Sequence, residues 1–492
     1  MPIISLLLLF PIAAALVTAL LPKNNARLIK GWALGAVAVE FGLAVYLLAN
    51  FVPNTSQMQF VEYQPWIPQV GIGYHVGVDG LSFWLVMLTT FLMLISIPAS
   101  FSQINTRLKE YVIFFLLLEA AMLGVFVALD VFLFYVFWEF SLIPMALIIG
   151  IWGHERRVYA AVKFVLFTMS GSLLMLVAIL VLYFSTGART FDLLELQKMI
   201  TPATLQPWLF AAFALAFAIK VPMFPLHTWL PDAHVQAPTA GSIILAGVLL
   251  KLGAYGFIRY CLTLFPDASQ QFAPVMITLA IIGIIFGAMV AAIQKDLKSL
   301  VAYSSVSHMG FIILGIFAFS QQAMSGAILQ MVNHGLSTGA LFLFVGLLYE
   351  RRHTRLIAEF GGLHKTIPVL SIFLLIVMFA STSVPGLNGF AGEFLILLGA
   401  WEANPLYTVF AATGMILSAI YLLWAYQRVM QGPLTNEKNK NLPDLNRREL
   451  ALTLALVALI VLIGVMPNLF LNPMQASIAA LLNPSNVAGL IK

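Results

Sequence analysis

The chain has 492 residues, 61% of them hydrophobic and 9% charged, with a formal net charge of +5. Soluble domains carry about 25% charged residues, so this composition excludes a string of soluble domains and points to one polytopic membrane domain. A single cysteine, Cys261, excludes an internal disulfide and a cysteine-ligated cluster within this chain.

Apolar runs of roughly the 20 residues needed to cross a bilayer divide the chain. They lie near 2–22, 31–52, 80–101, 111–129, 131–153, 158–185, 207–230, 240–265, 273–293, 299–319, 324–349, 368–402, 406–427 and 450–470. The expected fold is therefore an all-α integral membrane protein with about 14 transmembrane helices. The first run lacks a basic leader and a small-residue cleavage site, and reads as a retained helix. The tail 474–491 is compatible with an interfacial helix. With the N-terminus on the non-cytoplasmic side, alternate loops become cytoplasmic. Those loops hold most of the basic residues, among them Lys23, Arg27, Lys30, Arg156, Arg157, Lys295, Lys298, Arg351 and Arg352. The positive-inside rule supports the count and the orientation, and the expected location is the cell inner (plasma) membrane. The excess of positive charge follows topology, so no nucleic-acid partner is expected.

Two spans contain helix breakers. In AFAIKVPMFPLHTWLP (216–231), Pro222 and Pro225 follow Lys220; in STSVPGLNGFAGE (381–393), Pro385 and three glycines precede Glu393. Proline removes a backbone donor and clashes one turn back, so the seventh and twelfth spans should open there. Freed carbonyls at membrane depth are tolerated only where protein or water satisfies them. Paired broken helices point to a transporter built from inverted repeats with a midplane site. The breaks lie five spans apart, and an odd number of crossings inverts a repeated unit.

Four lone ionisable residues sit within the spans: Glu139, Lys220, Lys251 and Glu393. A charge at the bilayer centre costs roughly 2.5–3.5 kcal/mol or more and usually marks a path for ions or protons. Other readings stay open for each. Glu139 is compatible with an inert acid kept protonated by desolvation, and Lys220 with snorkelling. Lys251 also fits a structural hydrogen bond, and Glu393 a cap on the second half-helix. Lys163 reads as a partner that tunes Glu139 or as a snorkelling residue. His308 and His334 fall inside spans, where imidazole can relay protons, with Ser304, Ser305, Ser307 and Ser337 placed to hold water nearby. His227 and His234 lie where they would line an entrance. Glu119 is a buried acid of open role, and Glu40 reads as lying nearer a span end. No Cys/His metal spacing and no phosphate-binding loop occurs, so no cofactor or metal site is expected in this chain.

The runs KVPMFPLHTWLPDAHVQAPTAGSIILAGVLLKLGAYGFIRY (220–260), QKDLKSLVAYSSVSHMGF (294–311) and FYVFWEFSLIPMALIIGIWG (134–153) resemble the proton-translocating antiporter-like subunits of respiratory complex I. That family also includes subunits of multisubunit sodium/proton antiporters. Glu393 in GFAGEF and the opening VDGLSFW (78–84) resemble the M type, also called chain 4, since the L and N types carry lysine at the twelfth span. The resemblance implies two inverted five-helix repeats. Residues 1–110 would hold the first three helices, 111–265 the first half-channel, 266–430 the second, and 431–492 the last loop, helix and tail. It implies proton transfer through Glu139, Lys220, Lys251 and Glu393, with Lys163, His308 and His334 supporting. Partners would be the L-type and N-type subunits and lipids, with protons and water as the transported species. NADH, FMN, iron–sulfur clusters and quinone would belong to other subunits. The alternative is an antiporter subunit without a redox partner.

Overall fold

The computed structural model describes residues 2–185, 187, 189–199 and 201–483. Among these, eleven helices are long and apolar enough to cross a membrane, and three shorter apolar helices fill the remaining expected spans. The first helices are α1 (Ile3–Leu20), α2 (Ala26–Asn50), α3 (Phe83–Ala99), α4 (Leu108–Val127), α5 (Val131–Trp152) and α6 (Arg157–Ser185). The seventh span is divided into α7 (Gln206–Lys220) and α8 (Trp229–Gln236). Then come α9 (Thr239–Leu264), α10 (Pro266–Ala292), α11 (Leu297–Phe317) and α12 (Gln321–Arg352). The twelfth span is divided into α13 (Pro368–Ser381) and α14 (Asn388–Ala403). Helices α15 (Pro405–Met430) and α16 (Arg447–Val465) complete the set.

Short polar side chains start several of these helices by taking up otherwise unpaired N–H groups. Asn25, Asp130, Asp296, Ser320 and Asn404 accept such bonds at α2, α5, α11, α12 and α15. Asn446 and Glu449 form a reciprocal capping box at α16. The apolar run sets each helix's length and the cap sets its first turn.

Burial separates the helices into two kinds. The apolar stretches of α9 and α12 are wholly buried within the chain, whereas α6 turns Val162, Leu166, Leu173 and Val177 outward. Lipid is as apolar as leucine, so the outward face of α6 needs no protein cover, while faces carrying amines and imidazoles do.

Both expected breaks are present. After α7 the chain leaves helical geometry until Trp229, whose indole N–H donates to the Ile219 carbonyl at 2.9 Å. After α13, Ser383 takes a positive φ of 56° and Gly386 one of 90°, and Asn333 Nδ2 donates to the Asn388 carbonyl at 2.7 Å. Protein groups thus satisfy backbone at both interruptions, as membrane depth requires.

Three features were not expected. Residues 53–79, assigned no strand, form an antiparallel hairpin of β1 (Gln59–Ile67) and β2 (Ile72–Val78). Its His75 Nδ1 lies 2.6 Å from Asp192 Oδ2, and its Gly73 N–H donates to Asp130 at 3.1 Å. Burial opposes ionisation of Asp192, but the hydrogen bond and charge of His75, together with the N–H groups of Glu195 and Leu194, outweigh it and hold the carboxyl below its ordinary range. Helix α9 widens to π geometry at Leu245–Leu249 and at Phe257–Cys261, on either side of Lys251. Lys298, expected in a loop, is buried in the first turn of α11 and donates to the Ala237 carbonyl at 2.5 Å. The expected tail helix is seen as Gln475–Leu482, and residues 484–491 lie outside the described residues.

The break is pressed against α9 at Gly253. A Cβ there would lie 2.7 Å from the Phe217 carbonyl oxygen and 3.1 Å from the Lys220 Cβ. Overpacking of this kind typically costs about 1–3 kcal/mol. Gly253→Val should therefore lower the amount of assembled protein and its melting temperature, read on a native gel and by thermal unfolding. Wild-type levels of both would show that α7 and α9 separate freely.

Candidate functional site

The first cluster forms where α5, α6, α7 and α8 meet. Lys220 is the last residue of α7 and is 1% exposed. Its ammonium stands 5.3 Å from the Trp138 ring centroid and 5.6 Å from that of Phe164. Ring faces attract a desolvated cation by about 2 kcal/mol or more. Neither Lys220 Nζ nor the buried Glu139 Oε1 has a hydrogen-bond partner. Glu139 acts on Lys220 through space without touching it, so the acid and the amine are captured apart.

Lys163 does not sit with that pair. Its ammonium binds Asp232 Oδ2 at 2.6 Å. The reading of Lys163 as a partner that tunes Glu139 or as a snorkelling residue did not include this contact, in which the acid comes from α8, one helix turn past the break. His227 and His234 are both buried, stacked on Phe224 and Phe342 respectively.

The second cluster is continuous. Lys251, fully buried in α9, donates to the Ala246 carbonyl, which lies in the first π segment. Its ammonium also lies 2.6 Å from His334 Nδ1 on α12. The rings of His334 and His308 are 5.9 Å apart between centroids. His308 Nδ1, on α11, is 2.7 Å from Glu393 Oε1 on α14. Glu393 is 1% exposed and also accepts from Gln330 Nε2 at 2.9 Å and Ser383 Oγ at 2.5 Å. The Nε2 atoms of both histidines remain buried and unpartnered. A small cavity of about 10 Å³ lies against both rings and the second break, the room one water takes.

Sequence reasoning placed Lys251, His334, His308 and Glu393 in the path, and the structure brings these four into one file. It missed Asp232, Gln330, Asn333, Ser383 and Asn388. The signal for two of them was available: Gln330, Asn333, His334 and Ser337 recur at three- and four-residue spacing inside α12, marking one polar stripe. Ser304 and Ser305 donate to Val301 and Ser307 to Ile284, while Ser337 binds Asn388. Among the described residues no His/Cys/Asp/Glu group is arranged to hold a metal ion.

A family profile described as NADH:quinone oxidoreductase/Mrp antiporter, TM, matches residues 128–420, more than half of the chain. The chain belongs to this family. It is 47% identical over 496 residues to NADH-quinone oxidoreductase subunit M of Rhodobacter capsulatus, covering 97% of this chain and 96% of that protein. It is 44% identical to NADH-ubiquinone oxidoreductase chain 4 of Arabidopsis thaliana, over 96% of each. Among solved structures, a chain of respiratory complex I from Thermus thermophilus with bound NADH matches with a TM-score of 0.88 and 34% identity, covering 98% of this chain and 100% of that one. A chain of the Mrp complex from Dietzia sp. matches with a TM-score of 0.86 at 20% identity, covering 99% of each; that likeness speaks for the fold alone.

The Lys163–Asp232 pair offers a direct check. Asp232→Asn should free Lys163 and lower turnover several-fold in the assembled complex. Lys163→Ala added to it should change little more, since partners in one pair are not additive. Two full, independent losses would show that the residues act separately.

Proposed function

We propose that the chain works as an M-type membrane-arm subunit of NADH–quinone oxidoreductase. It moves protons across the membrane while quinone is reduced elsewhere in the complex. The observation that carries this reading is the file Lys251–His334–His308–Glu393, with 2.6 Å and 2.7 Å contacts at its two ends. Every member is buried, and each can both take and release a proton.

The chemistry runs from residue to residue. A protonated Lys251 donates to His334 Nδ1, and a His308 Nδ1–H donates to a Glu393 carboxylate. One water in the cavity between the rings would join the two free Nε2 atoms. Upstream, Lys220 loads the file, with Glu139 as its switchable counter-charge. When acid and amine close on each other the proton stays on Lys220; when they separate, that support is lost and the proton is free to leave. Asp232 and Lys163 stand at the first half's entrance, and Glu393 serves as the exit. NADH, FMN, iron–sulfur clusters and quinone belong to other subunits on this reading, and the neighbours in the membrane are the L-type and N-type subunits. The bacterial inner membrane, with the N-terminus on the non-cytoplasmic side, is the setting that the distribution of basic loops supports.

Substitutions at three positions test the roles in vesicles, with proton uptake normalised to complex content on a native gel. Glu139→Gln keeps the shape and removes the counter-charge, and should abolish most pumping and quinone reduction. Lys220→Arg should rescue Lys220→Ala poorly, because guanidinium holds its proton; full rescue would make Lys220 a fixed charge. Glu393→Asp should retain much of the activity and Glu393→Gln little. Equal pumping by the Gln form and the wild type would reduce Glu393 to a structural hydrogen-bond acceptor.

A further inference from the structure

Two acids within the spans take no part in the path above. Glu40 stands midway along α2, correcting its placement near a span end, and Glu119 stands midway along α4. They are 1% and 0% exposed, and all four carboxyl oxygens are buried without a hydrogen-bond partner. The two groups interact electrostatically with each other.

No cation compensates them. Helices α1 and α3, packed on α2 and α4, carry no ionisable side chain. The other titratable groups on α2 and α4 are Arg27, Lys30, Tyr46, Lys109, Glu110 and Tyr111. Lys30 and Lys109 are spent on the carbonyls of Phe101 and Leu21. The remaining neighbours of α4 bring Tyr135 and Glu139 from α5, Lys251, Tyr255, Tyr260 and Arg259 from α9, and Tyr74 and His75 from β2. Of these basic groups, Arg259 is bound to Asp79, Lys251 to His334 and His75 to Asp192. Ionised together, Glu40 and Glu119 would hold two uncompensated like charges at bilayer depth, the costliest arrangement open to them.

We infer that Glu40 and Glu119 form a proton-binding site in the α1–α4 lobe, separate from the Lys251–Glu393 file. In the loaded form both carboxyls are protonated and neutral. Loss of one proton leaves a carboxylate that resists loss of the second, so the pair titrates as a unit. A hard metal cation fits less well, since it takes about six to eight oxygens and two carboxyls supply four. Because α4 packs along α5, which carries Glu139, the charge on this site lies one helix away from the first half of the path.

The test uses the assembled complex. Infrared difference spectra between acidic and alkaline buffer should contain a protonated-carboxyl C=O band that shifts down in D2O. The band should weaken in Glu40→Gln or Glu119→Gln, and its share from this site should vanish in the double variant. The unmodified complex gives a second readout that needs no variant to assemble. Dicyclohexylcarbodiimide adds to protonated carboxyls in apolar surroundings, so peptide mass spectrometry should find an adduct on Glu40 or Glu119, equal in sodium chloride and choline chloride. An unchanged band in both Gln variants, or absence of any adduct, would overturn the proposal. Suppression of the adduct by sodium would overturn it in favour of a cation site.

Discussion

A buried amine in a membrane needs the protein to surround it, and Lys251 imposes that need on everything around it. Its helix is sealed on all sides. A π segment there holds the Ala246 carbonyl that accepts from the ammonium. Its other contact, His334, comes from α12, which is sealed as completely. Lipid-facing surfaces are then free to be simply apolar, as the outward face of α6 is. The arrangement follows from the cost of leaving an ammonium against hydrocarbon, a cost that only protein groups or water can remove.

The two halves of the path meet that cost in different ways. In the second half the acid is satisfied: Glu393 has His308, Gln330 and Ser383 around it. In the first half the charges are left open, with Lys220 facing two aromatic rings and Glu139 Oε1 unpartnered. A buried polar group without a partner is held at a penalty of about 1–3 kcal/mol, more when charged. Lys220 Nζ and Glu139 Oε1 are held at that penalty, whereas both carboxyl oxygens of Glu393 have partners. The Glu393 end behaves as a settled acceptor.

Much of this was legible in the chain. Apolar run length located the spans. Lys220 followed by Pro222 and Pro225, and Pro385 before Glu393, located both breaks. Lone charges in apolar runs named the file's two ends, and the resemblance supplied its order. What could not be read depended on contacts between distant segments. Asp232 looks like an ordinary loop acid until α8 folds back on α6. The π segments contain no proline, and their residues read as continuous helix. The hairpin's strands lack a clean alternation, and residues outside it, Asp130 and Asp192, hold it in place.

The first break also constrains what can move. The Val221 N–H binds the Phe217 carbonyl, the Met223 N–H binds that of Ala218, and Trp229 takes that of Ile219. Trp229 is itself fully buried, and Gly253 holds α9 against the same turn. A hinge at this point would have to expose several of these groups at membrane depth, where nothing replaces them. Swinging the four-carbon stem of Lys220 from the Trp138 face towards Glu139 breaks no hydrogen bond. The break is thus a firmly held mount that ends α7 at a lysine.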